Sequence, residues 1–150
     1  MIADRLKELG IVLPIAPVPA FQYVPVTVHE RLAFVSGQLP RDGDSIITGK
    51  VGEEVDLERG RAASRLCILQ ACACLEQALG SLDRIDRILK ITGFVASATG
   101  FNQQPKVIDA ASELLFDIFG EAGRHARSAV GVAELPRNAA VEIELIVALR

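Results

Sequence analysis

The chain carries its strand-forming runs toward its two ends and its long helical runs between them, so segments far apart in sequence must meet in one sheet. The clearest strand covers residues 140–149, where Val141-Glu142-Ile143-Glu144-Leu145 alternates aliphatic and acidic side chains with a period of two. Residues 129–133 are expected to pair with it around the turn Leu135-Pro136-Arg137-Asn138. Near the start, residues 21–28 and 32–36 read as a hairpin about His29-Glu30-Arg31. Apolar positions at helical spacing predict one long helix over 57–79, stopped by Gly80, and a second over 107–119, stopped by Gly120. Residues 85–95 read as a strand and 100–105 as a loop. A short helix over 2–9 ends at Gly10, and residues 41–44 form a tight turn before a brief strand at 45–48. This order gives an α+β domain: one sheet with two long helices packed on one face.

A chain of 150 residues, 50% hydrophobic and 23% charged, suits a single domain over 1–150, with 1–19 forming the first helix and a proline-rich arm. Mean hydropathy of +0.32 is high for a soluble monomer, so some apolar surface is expected to meet another subunit. Sixteen Lys and Arg against nineteen Asp and Glu leave a net charge of −3, and aromatics make up 5% with no Trp. Neither a positive field nor stacking platforms are available, which counts against nucleic acid as a partner. Residues 11–28 carry no charge, but Pro14, Pro17, Pro19 and Pro25 interrupt them and argue against a membrane-spanning helix. Asp4, Arg5, Lys7 and Glu8 occupy the place of a secretory signal's apolar core, so a cytoplasmic location is expected.

Cys67, Cys72 and Cys74 cannot converge on one metal from a helix, because Cys72 points away from the face shared by the other two. With only His29 and His125 to supplement them, they read as small buried apolar residues, and no metal is expected. Gly49-Lys50-Val51-Gly52 lacks the spacing of a phosphate-binding loop and no GxGxxG follows a strand, so no nucleotide cofactor is expected.

Several residues can carry chemistry. Arg127, in Arg124-His125-Ala126-Arg127-Ser128, begins a β-run; it either faces solvent or grips a small carboxylate through two parallel hydrogen bonds. Glu142 and Glu144 share one strand face, and either pair with cations across the sheet or are shielded enough to exchange protons near neutrality. Tyr23, the only tyrosine, either packs or lends a hydroxyl to a pocket. His125 lies between two arginines but has no evident carboxylate to orient it, and His29 falls in a turn. Ser36 lacks the G-x-S-x-G elbow of a nucleophilic serine.

Phe34-Val35-Ser36-Gly37-Gln38-Leu39-Pro40, Arg127-Ser128-Ala129-Val130-Gly131-Val132, and Leu135-Pro136 leading into Val141-Glu142-Ile143-Glu144 together resemble the Rid family, also called YjgF, in order and separation across residues 20–150. The N-terminal helix with Leu9-Gly10-Ile11 and the stretch from Phe119 to Arg127 look like a subgroup with an extended N-terminus. The resemblance implies a chorismate-mutase-like α+β subunit with a mainly antiparallel sheet, assembled as a homotrimer with clefts between subunits. It also implies hydrolysis of enamines and imines such as 2-aminoacrylate to a 2-keto acid and ammonia, without metal or cofactor. Carried over by position, Arg127 binds the substrate carboxylate and Glu142 positions the attacking water, while Tyr23 and Gly37 contact substrate. Two positions depart from the family pattern: Asp109 stands for its usual asparagine, adding a negative charge, and Ala129 for its frequent cysteine, so only a backbone contact survives there. A trimeric protein that binds a small keto acid and regulates a partner is the alternative. The family's older association with RNA cleavage is a third reading, disfavoured by the charge balance.

Overall fold

In chain order the elements are helix α1 (Ile2–Glu8), strands β1 (Val26–His29), β2 (Leu32–Gln38), β3 (Arg41–Asp42) and β4 (Ser45–Ile46), helix α2 (Leu57–Leu79), strand β5 (Ile85–Ala96), helix α3 (Gln104–Phe119), and strands β6 (Ala126–Val132) and β7 (Val141–Leu149). The structure is a computed structural model that describes residues 1–18 and 21–150. Pro19, expected in the arm, lies outside the described residues.

The long helix has the expected limits. Asp56 caps it by accepting from the Arg59 N–H at 2.7 Å, and Gly80 ends it in the left-handed region at φ 82°. Helix α3 starts three residues earlier than expected, because Pro105 sits in its first turn, where a missing N–H breaks no helical bond. The first strand is shorter than expected: Pro25 precedes it, and its carbonyl accepts from the Ser36 N–H at 2.8 Å. Strands β3 and β4 form a small hairpin across Gly43, whose φ is 62°.

The main sheet runs β1-β2-β7-β5-β6, antiparallel except for the parallel pair β5–β6. The expected pairing of residues 129–133 with 140–149 is therefore corrected: β5 lies between β6 and β7. Parallel neighbours need a crossover, and α3 supplies it, leading the chain from β5 back to the outer edge of the sheet. The turn after β6 then has to pass β5 before β7 begins, with Arg137 and Asn138 at positive φ.

One face of the sheet is the core. Ala33 and Val35 of β2, Ile88, Ile91 and Val95 of β5, and Val141, Ile143, Leu145, Val147 and Leu149 of β7 are buried beneath α2 and α3. The three cysteines are free and buried. On the other face no helix lies among the described residues, and Phe34 and Val130 are each 43% exposed. Helix α1 is docked rather than loose: Leu6 joins the core, and the Arg5 Nε–H donates to the Asp117 carbonyl at 2.7 Å. Among the described residues no helix is long and apolar enough to cross a membrane.

Gly93 sets how closely α3 approaches β5. A Cβ there would stand 2.5 Å from Ile108 Cδ1 and 2.6 Å from its Cγ1. Gly93→Ala is expected to destabilise the fold by about 1–3 kcal/mol in urea unfolding. Adding Ile108→Val, which deletes Cδ1, should recover part of that loss; two losses that simply sum would contradict the close contact.

Candidate functional site

Arg127 pairs in register with Ile91, a core residue, so its side chain lies on the helix-covered face at the outermost strand. There it reaches α3. One Nη1–H donates to Asp109 Oδ1 at 2.8 Å and Nη1 also meets Ser112 Oγ at 3.2 Å, with a longer bond from Nη2 to the Pro105 carbonyl at 3.4 Å. Asp109 and Ser112 present themselves together because they are three residues apart on one helix face. The arginine is not in bulk solvent: its side chain is 24% exposed, that of Asp109 47%. An ion pair so placed is worth about 0.2–1 kcal/mol. A carboxylate offering two charge-assisted bonds competes with it. The guanidinium opens on a recess of about 510 Å³ that Phe116, Arg124 and His125 also line. Arg124 lies over the Phe116 ring at 5.1 Å and is bridged to Glu121 at 2.9 Å.

Glu142 pairs with Phe94 and so projects from the other face of the sheet. Its position depends on a bulge. Between the pairs Val35–Leu145 and Gln38–Ile143, β2 holds one residue more than β7, and Gly37 falls in that irregular stretch. A Cβ at Gly37 would stand 2.0 Å from Glu142 Oε1, so only glycine admits the carboxylate here. Tyr23 and Gly37 line with Glu142 a recess of about 170 Å³, to which Pro17, Val18 and Pro136 contribute. Tyr23 is 58% exposed, and its segment is tied down where the Ser36 hydroxyl donates to the Val24 carbonyl at 2.7 Å. Burial pushes the Glu142 carboxyl above its ordinary range, and the charge of Glu144 adds to the shift. Glu144 itself is exposed.

The sequence-derived candidates thus fall into two groups. Arg127 and Asp109 meet on the helix side, while Tyr23, Gly37 and Glu142 meet on the bare side, and the two recesses share no lining residue. Ala129 pairs with Gly93 and, partly buried, packs against the core. Sequence reasoning passed over Ser112 and did not foresee its contact with His125: the His125 Nε2 lies 2.9 Å from Ser112 Oγ, and its Nδ1 lies 2.6 Å from the Gly123 carbonyl. Spacing held the signal. Positions 109 and 112 share a helix face, and 125 and 127 share the side of an extended segment. Among the described residues no three His, Cys, Asp or Glu side chains are grouped to hold a metal.

A carboxyl with a raised folded-state pKa stabilises the fold below its unfolded pKa and loses that contribution as pH climbs through the folded value. Glu142→Gln is therefore expected to raise Tm at pH 7 and to flatten the stability profile over that interval. Glu144→Gln should move the Glu142 midpoint back toward the ordinary carboxylate range in a carbon-13 NMR titration; an unmoved midpoint would show that the two charges do not interact.

Residues 3–149 match the family described as "YjgF/chorismate mutase-like, putative endoribonuclease". A Trypanosoma cruzi relative, Protein TCP17, is 45% identical over 99% of this chain and 94% of its own length. The 2-iminobutanoate/2-iminopropanoate deaminase of Dermatophagoides farinae is 30% identical over 91% of this chain and 92% of its own length. The solved structure of Atu1372 from Agrobacterium tumefaciens superposes with a TM-score of 0.92 at 47% identity, covering 99% of this chain and 92% of that one. With the match spanning nearly its whole length and the α+β sheet in place, the chain belongs to the YjgF family.

Proposed function

We propose that this protein hydrolyses small enamines and imines of the 2-aminoacrylate type to a 2-keto acid and ammonia, in clefts between the subunits of a homotrimer. The observation that carries this reading is the division of the candidates: Arg127, in a recess that Asp109, Glu113 and Asp117 also line, and Glu142, in a recess that Arg41 also lines, lie on opposite faces of one sheet. Neither recess holds both Arg127 and Glu142. A neighbouring subunit that brings its Glu142 side against the Arg127 side completes them, and the exposed Phe34 and Val130 on the bare face favour such a contact. The Dermatophagoides farinae relative, a 2-iminobutanoate/2-iminopropanoate deaminase by name, supports the same chemistry.

In this reading the substrate carboxylate binds the guanidinium of Arg127 against the opposing charge of Asp109 on Nη1, and the imine carbon is thereby fixed in place. Glu142 of the partner subunit accepts a proton from water as its oxygen adds to the carbon of the C=N bond. It passes that proton to nitrogen to give a carbinolamine, then takes the proton of the new hydroxyl and delivers it to the same nitrogen as the C–N bond breaks, releasing ammonia and leaving the keto group. Its raised pKa brings both directions of transfer closer to neutral pH. Imine hydrolysis proceeds unaided in water, so orientation and one proton carrier meet the demand.

The Asp109–Arg127 pair favours one other reading, a trimer that binds a keto acid without turning it over, because the guanidinium arrives already neutralised. Keto acid release from an enzymatically generated imine separates the two. Arg127→Ala is expected to lower kcat/KM by about 100-fold, and Glu142→Gln to lower kcat by about 10²–10⁴-fold with KM little changed. Asp109→Asn should lower KM by up to about fivefold, the equivalent of a 0.2–1 kcal/mol competitor. Turnover by Arg127→Ala equal to that of the unmodified protein rejects catalysis through this arginine. Sedimentation should give three times the 16.1 kDa chain mass.

A further inference from the structure

Behind Arg127 runs a chain of contacts that the reaction above does not use. Nη1 of Arg127 reaches Ser112 Oγ at 3.2 Å, Ser112 Oγ reaches His125 Nε2 at 2.9 Å, and His125 Nδ1 reaches the Gly123 carbonyl at 2.6 Å. One arrangement of protons satisfies all three. A carbonyl only accepts, so Nδ1 carries the ring proton; Nε2 of the neutral ring then accepts the Ser112 hydroxyl proton, and the oxygen of that hydroxyl accepts from the guanidinium. The far end is anchored, because Gly123 lies so close beneath α3 that a Cβ on it would stand 2.3 Å from the Leu115 carbonyl oxygen. The near end is shared with Asp109, and Nε of Arg127 has no acceptor among the described residues.

We infer that Ser112 and His125 are positioning residues: they hold Nη1 of Arg127 against α3 through a one-way hydrogen-bond chain, so that the Nε edge of the guanidinium is presented to a small carboxylate. The inference rests on reading Arg127 as the anion grip. It assigns to two residues a task performed through Arg127.

The chain runs only while His125 is neutral. A protonated ring carries N–H groups on both nitrogens, so Nε2 must donate to Ser112, whose own proton is turned toward the guanidinium that it had been accepting from. The charged groups around the ring are Asp109, Glu113 and Asp117 on α3, Arg124 with its partner Glu121 before β6, Arg87 on β5, and Arg127. Burial pushes the His125 pKa below its ordinary value of 6.5, the Gly123 carbonyl opposes this, and the Arg127 charge adds to it. The neutral form therefore prevails at pH 7, and grip should weaken on acidification through the lowered midpoint.

Nitrogen-15 NMR on histidine- and arginine-labelled protein, with pyruvate as the carboxylate probe, tests this without turnover. Expected are a His125 ring protonated on Nδ1 at pH 7.5, a midpoint below 6.5 that rises in both Ser112→Ala and Arg127→Ala, and an Arg127 Nε resonance that shifts with pyruvate and also with His125 protonation. In the imine assay His125→Phe should raise KM about tenfold with kcat within about twofold. His125→Gln, whose amide oxygen can accept from Ser112, should recover most of the KM and lose its acid-side rise. A ring protonated on Nε2, or an Arg127 Nε resonance and pyruvate affinity unchanged in both Ser112→Ala and His125→Phe, overturns the inference. An intact NMR chain in a protein that hydrolyses no imine leaves it standing and defeats only the proposed reaction.

Discussion

Strand β7 is the constraint on which the rest of the molecule depends. It has a partner on each side, so its backbone is committed, and its period of two sends five aliphatic side chains under the helices while Glu142 and Glu144 go the other way. A slip of one residue would bury both carboxylates and expose the core. Register along β7 thus fixes stability and the placing of Glu142 at once. Its neighbour β5 passes the same alternation on to β6, which is why Arg127 emerges on the opposite face.

The two ionisable groups at the centre of the proposed chemistry are governed by different physics. Arg127 sits at an edge, where a helix residue of opposite charge is within reach and water still screens the pair. Such an arrangement keeps the guanidinium oriented without binding it so tightly that a ligand is refused. Glu142 is half-buried beside a like charge, which weakens its ionised form. In the proposed reaction the first group binds and the second exchanges a proton.

Much of this was legible in the sequence, for reasons that differ by element. Helix α2 could be bounded from Leu57 to Leu79 because capping and glycine termination are local events. Residues that depend on one strand's alternation, such as Glu142, were equally readable. The neighbour of β6 was not: a turn signal at 135–138 looks the same whether the strands it joins pair or are separated by a third, and only the crossover through α3 decides. The bulge at Gly37 was likewise hidden, since it is a relation between β2 and β7 and not a property of either. Ser112 went unnoticed because a lone serine in an amphipathic helix carries no mark until a histidine from another element lies against it.

Gly37 shows how an absence can be part of a site's machinery. Because the space that a methyl group would fill is occupied by the Glu142 carboxylate, enlarging residue 37 by a single carbon evicts a group on a different strand. A scan that replaced residues one at a time would score position 37 as though it performed chemistry, although it contributes no functional group. What it contributes is room, and in a recess of about 170 Å³ room is as specific as any side chain.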